Sequence, residues 1–154
     1  MARTHMRTMK GRFRPNNPQK YKGNVTDIIY RSSYELKFMM YCDSTPNVIE
    51  WSSEETIIPY TSPKDNRIHR YFVDFLIKVK KKNVVETYLI EVKPESQQRP
   101  PAPLKEGKRP TKSYIKEVFT WGVNEAKWKA AQKYCEIKGW KFLVIGETQL
   151  NIKI

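Results

Sequence analysis

Two alternating runs joined by a short basic turn constrain this chain more than any other stretch. Across Ile68–Val79 the residues Tyr71, Val73, Phe75, Ile77 and Val79 share one apolar face, and Val84–Lys93 is a second run rich in Val, Tyr, Leu and Ile. A period of two over this length is the mark of a strand, and Lys80–Asn83 is short enough to join the two as an antiparallel hairpin. Pro94 ends the second strand because it has no N–H to give the ladder. Asp74 falls on the opposite face from that apolar row, between Phe72 and Leu76, where an unpaired carboxylate is costly and must be compensated by a cation or a divalent metal. Glu91 and Lys93 stand at alternate positions roughly 6–7 Å apart on one face, while Val92 points into the core. Charged side chains closing an apolar strand break the burial rule, and such breaks are expected at functional sites.

At 154 residues the chain is long enough for one domain with a sizeable core and too short for two. Its 29 Lys and Arg against 16 Asp and Glu give a net charge of +13, which attracts a polyanion, nucleic acid first. A membrane surface is the competing polyanion, but no apolar run approaches the ~20 residues of a spanning helix. No signal-peptide core follows the basic start, so a soluble intracellular protein is expected. Cys42, Cys135, His5 and His69 have no zinc-ligand spacing and read as ordinary residues, the cysteines as buried thiols.

Residues 1–26 hold no acidic side chain, while Arg3, Arg7, Lys10, Arg12, Arg14, Lys20 and Lys22 are spread among Gly, Pro and Asn. Such a segment buries too little to order itself, so a flexible basic arm is expected before a single domain at 27–154. Two readings of the arm stand: a phosphate-contacting tail and a solubilising terminus. Tyr30 to Tyr41 then has helical spacing and ends before Pro46. Ser32 and Glu35 have the spacing of a capping box, in which Glu35 only bonds back to the helix start. Glu35 also shares a face with Phe38, Met39 and Cys42, from which a carboxylate could reach a metal held by the sheet.

Val48–Trp51 and Glu55–Tyr60 are strand-like, the second expected to open a three-stranded meander, and Ser62–Asn66 is turn chemistry. Residues 97–112 form a Pro-rich basic loop in which Arg99, Lys105, Lys108 and Arg109 suit phosphates; it either folds over a substrate or is an idle insertion. Ser113–Trp121 is helical, Gly122 is expected to interrupt, and Asn124 restarts a helix that stops at Gly139. With Trp128 facing the sheet, Lys127 or Lys129 would approach the rim of the site; simple exposure is the other reading. Lys141–Gly146 is a buried strand expected to run parallel to its neighbour after a helical crossover, with Leu150, Ile152 and Ile154 extending or packing on the sheet.

Asp74 followed by Glu91-x-Lys93 on an adjacent strand resembles the motif of the PD-(D/E)xK nucleases. The resemblance sharpens over nearly the whole chain after the arm. In order, Lys20-Tyr21-x-Gly23, Tyr30-Arg31-Ser32-x-x-Glu35, Trp51-x-Ser53-Glu54, Ile58-Pro59-Tyr60, Arg70-Tyr71-Phe72-x-Asp74, Glu91-x-Lys93-Pro94, Trp121-x-Val123-Asn124 and Lys127-Trp128-Lys129-Ala130-Ala131 resemble the head-completion nucleases of T-even-like tailed phages. The resemblance implies an α/β restriction-endonuclease-like core: a mixed sheet of an antiparallel meander plus a crossover strand, flanked by helices. It implies that Glu35, Asp74 and Glu91, with the Val92 carbonyl, hold Mg²⁺ or Mn²⁺, and that Lys93 orients or deprotonates the attacking water. Val73 stands where the motif has proline. It further implies a DNA nuclease of the infected bacterial cytoplasm, trimming protruding DNA as the phage head is completed, with head or head-tail connector proteins as partners. Arg12, Arg14, Lys20, Lys22, Arg31, Arg99, Lys105, Lys108, Arg109, Lys127 and Lys129 are the candidate DNA contacts. The competing readings are a flap- or branch-specific endonuclease and a catalytically silent DNA-binding head component.

Overall fold

The computed structural model describes residues 7–151; Arg3, the His5-Met6 pair, Ile152 and Ile154 lie outside them. In chain order the elements are β1 (Thr8–Arg12), β2 (Ile29–Ser32), α1 (Ser33–Ser44), β3 (Val48–Ser53), β4 (Ile57–Thr61), β5 (Ile68–Phe72), β6 (Phe75–Lys81), β7 (Val84–Val92), α2 (Lys112–Lys138) and β8 (Lys141–Ile145). A four-stranded mixed sheet in the order β3-β6-β7-β8 is the centre, antiparallel except for the parallel β7–β8 pair. The protein is therefore an α/β fold with one helix against each face of a mixed sheet. Side chains of β7 alternate as a two-residue period requires. Tyr88, Ile90 and Val92 join Tyr34, Phe38, Met39 and Cys42 of α1, whereas Leu89 joins Ala131 and Cys135 of α2. Each large apolar side chain fully buried in these layers, such as Trp51, Phe75 or Leu89, contributes about 1.5–3 kcal/mol.

The run expected as one strand over Ile68–Val79 is divided at Val73-Asp74. β5 leaves the central sheet and pairs with β4 as a separate hairpin, and the meander opens with β3 instead of the 55–60 segment. At the break the Val73 N–H donates to the Thr56 carbonyl and the Glu54 N–H to the Asp74 carbonyl, each at 3.0 Å. Glu54 takes a left-handed φ of 56° to do so, a conformation disfavoured outside glycine. Consequently the apolar row does not stay on one face: Tyr71 and Val73 pack with α2, Phe75 and Ile77 with α1.

The segment expected to be a free arm is, from Arg7 onward, laid on the domain. β1 pairs with β2, and Phe13 and Tyr21 are buried with their rings set edge-on to Trp51 at 5.8 and 4.7 Å. Two large aromatics closing over one buried indole supply the apolar area that composition alone concealed. Lys20 is spent on the same docking. Its ammonium donates to the carbonyls of Cys42 (2.6 Å), Thr45 (2.8 Å) and Asp43 (3.1 Å), closing the C-terminal end of α1 where orphan acceptors and the helix dipole favour a cation. Lys20→Ala is expected to lower stability by about 1–3 kcal/mol in thermal unfolding while leaving DNA affinity unchanged.

α2 runs unbroken through Gly122, where an interruption was expected. A glycine there costs about 1 kcal/mol, and the absent side chain faces Pro63 of the β4–β5 turn. Trp121 and Trp128, about two turns apart on the helix, meet edge to face at 5.9 Å. The helix begins with Thr111 accepting from the Tyr114 N–H and ends at Gly139 with φ 74°. Residues 98–111 carry neither helix nor strand, after a 3-10 turn at Glu95–Gln97. Among the described residues no helix is long and apolar enough to cross a membrane.

Candidate active site

The strand break and the end of β7 bring two carboxylates together. Phe75 pairs with Ile90 in the β6–β7 ladder, so Asp74 lies beside Glu91 and Val92, and the Val92 N–H donates to Asp74 Oδ2 at 2.8 Å. Glu91 is only 7 % exposed on the α2 face of the sheet. Its Oε2 accepts from the Tyr71 hydroxyl and from Trp128 Nε1, the latter at 3.2 Å. Among the described residues neither carboxylate is in an ion pair with a lysine or arginine. Burial first, and the adjacent Glu91 charge second, push the Asp74 pKa well above the usual carboxylate range. Burial and the same Glu91 raise the Tyr71 hydroxyl, which remains a donor.

Glu35 caps α1. Its backbone N–H donates to Ser32 Oγ at 3.1 Å, and its carboxylate accepts from Ser32 Oγ at 3.3 Å and the Arg31 N–H at 3.4 Å. Burial raises its pKa, and its charge acts on Asp74. Among the described residues, however, no three His, Cys, Asp or Glu side chains gather closely enough to hold an ion. Of the three carboxylates expected to share a metal, Asp74 and Glu91 are brought together, and Glu35 takes the capping-box position.

Lys93 follows directly after the end of β7, half-buried and in no ion pair among the described residues. Its backbone is fixed on both sides: the N–H donates to the Ile145 carbonyl at 2.9 Å, and its carbonyl accepts from Gln98 Nε2 at 2.8 Å. A side chain on Gly146 would sit 2.8 Å from that same carbonyl, so only glycine lets the turn after β8 approach this closely. Beyond Pro94, Glu95 Oε1 accepts from the Thr148 N–H at 2.9 Å, and Glu147 accepts from the Glu95 N–H and the Tyr34 hydroxyl, both at 2.8 Å. Burial alone would raise the Glu147 pKa, but these donors outweigh it and lower it, while burial and Glu147 lift Tyr34 to about 12. The segment carrying Lys93 is thus tied to both α1 and the end of the sheet.

The basic residues expected to contact DNA are divided in their partners. Arg31 forms a two-point pair with Glu54 at 2.9 and 3.3 Å, and Lys129 pairs with Glu125 at 3.3 Å. Arg12–Asp27 and Lys22–Glu50 are looser exposed pairs at 3.9 and 3.8 Å. Lys127 lies over the rings of Tyr71 and Tyr60 at 5.6 and 5.8 Å. Arg14, Lys105, Lys108 and Arg109 are exposed, and Arg99 lines a cleft of about 410 Å³ between the loop and the first half of α2. Two residues at the carboxylates, Tyr71 and Trp128, carried no expected role. Their only sequence signal is that a buried Tyr or Trp must find a partner for its polar tip.

Comparison with known proteins gives two matches. Residues 45–147 match the family described as TnsA-like endonuclease N terminal, a span that includes Asp74, Glu91 and Lys93. The chain is also 36% identical over 142 residues to the head completion nuclease of Enterobacteria phage T4, covering 92% of this chain and 93% of that protein. No solved structure matches the chain.

Proposed function

This chain belongs to the TnsA-like endonuclease N-terminal family of nucleases, and from that premise we propose a divalent-metal-dependent deoxyribonuclease that hydrolyses phosphodiesters at Asp74, Glu91 and Lys93. One observation carries the reading: a buried Glu91 and a half-buried Asp74 lie side by side with no basic partner among the described residues, and Lys93 stands just past the strand end, two positions after Glu91. Such a pair is stable at neutral pH only with a proton or a cation between its members. Carboxylate oxygens are the donors that Mg²⁺ and Mn²⁺ prefer, so the residues present fit a hard cation.

Asp74 and Glu91 would hold the ion, with the Val92 carbonyl completing the protein's share of the shell. When bound, the ion supplies Lewis-acid polarisation of the scissile phosphate and acidification of a water. Lys93, two positions after Glu91 at the end of β7, orients or deprotonates the attacking water and steadies the charge that builds on the pentavalent phosphorus. Glu35 adds its negative charge from the helix cap, which strengthens the attraction of the site for a cation. Arg14, Arg99, Lys105, Lys108 and Arg109, in no ion pair among the described residues, engage the DNA backbone, a salt-sensitive contact. By extension from the T4 relative, the setting is head completion in an infected bacterium, with protruding DNA as substrate and head or connector proteins as partners.

The purified protein is expected to cleave DNA with Mg²⁺ or Mn²⁺ and to be silent in EDTA. Comparing linear duplex, single-strand, flap and four-way junction DNA separates end trimming from branch-specific cutting. DNA binding with no cleavage in any metal would leave only the binding-module reading.

A further inference from the structure

Among the described residues two side chains donate to the Glu91 carboxylate, and both converge on one of its two oxygens. The Tyr71 hydroxyl and Trp128 Nε1 both go to Oε2, and the Val92 N–H likewise takes Asp74 Oδ2. Among the described residues no donor reaches the other oxygen of either carboxylate, Glu91 Oε1 or Asp74 Oδ1. We infer that Tyr71 and Trp128 are positioning residues which lock Glu91 so that Oε1 alone is presented to the divalent ion. The two donors come from outside the central sheet, Tyr71 from the β4–β5 hairpin and Trp128 from α2, so the carboxylate is held by two independent elements. The Tyr71 ring is 3 % exposed and lies beneath the Lys127 ammonium, which leaves it no room to turn away. A carboxylate fixed in this way needs no ordering when the ion arrives, and removing such outer donors costs 10–100-fold in metal affinity in general.

The inference rests on the nuclease reading, and the test keeps the two apart. Mn²⁺ is titrated calorimetrically into the full chain as wild type, Tyr71→Phe and Trp128→Phe, with thermal unfolding as the check on folding. Each substitution is expected to weaken Mn²⁺ binding about tenfold. Each should also raise the Mn²⁺ concentration for half-maximal DNA cleavage more than it lowers kcat at saturating Mn²⁺. Tyr71→Phe removes a single oxygen and Trp128→Phe acts from another element, so either variant that folds decides the matter. Mn²⁺ affinity within twofold of wild type in a folded variant would overturn the positioning role. Wild-type protein that binds no Mn²⁺ would overturn the nuclease reading, and this inference with it.

Discussion

Asp74→Asn is expected to make the metal-free protein more stable at neutral pH while abolishing its metal-dependent cleavage of DNA. In the folded chain burial and Glu91 hold the Asp74 pKa well above its value in the unfolded chain. The folded state therefore binds this proton more tightly than the unfolded state does. That contribution to stability is fully present below the unfolded carboxylate's pKa and is lost as pH rises through the folded value. Above that range the wild type carries two adjacent anions in a buried site, a local cost tolerated for function. An amide carries no charge, and its oxygen can still accept from the Val92 N–H. The variant should gain about 1 kcal/mol or more at pH 8 without metal, and its stability should fall less with pH than wild type's. The same change removes one of the two anionic ion ligands, so cleavage in Mn²⁺ should drop roughly 10³-fold or further, since several kcal/mol of transition-state stabilisation depend on the ion. Urea unfolding at pH 5 and pH 8, paired with a Mn²⁺ cleavage assay, reads both effects.

Lys93→Ala should separate binding from chemistry. The residue is held by its backbone, through Ile145 and Gln98, so truncating the side chain leaves the end of β7 and the carboxylate pair in place. Loss of a positioned proton-transfer group costs about 10²–10⁴-fold in rate. The variant is expected to lose that much kcat while retaining Mn²⁺ affinity, the wild-type melting temperature and salt-sensitive DNA binding. Unchanged cleavage would place the active site elsewhere.

The chain wrote parts of this arrangement plainly. The β6–β7 hairpin and the alternation that sends Glu91 and Val92 to opposite faces follow from local pattern and stand as expected, though β6 runs two residues further than its apolar alternation and the turn tightens from Lys80–Asn83 to Lys82-Asn83. The division of β5 from β6 was not legible. Period-two alternation records which side of a strand is buried, not which partner the strand pairs with, and it continues smoothly across Val73-Asp74. Gly122 signalled a break because propensity is a local quantity, whereas the packing of α2 on β4 and β8 carries the helix through it. Lys20 looked like a surface cation because its acceptors are the carbonyls at the end of α1, 22–25 residues away. Glu35 was consistent with two environments, and it makes the Ser32 cap three residues away while its charge still acts on Asp74. Tyr71 and Trp128 read as core, and they are core; what spacing cannot show is that their polar tips meet on one oxygen of Glu91.

Direct titration of Mn²⁺ into wild-type protein, Asp74→Asn and Glu91→Gln bears most directly on whether these two side chains exist to hold an ion. Saturable binding by wild type that is lost in both variants, with all three folded, is the predicted result. Equal Mn²⁺ affinity in all three proteins would contradict it.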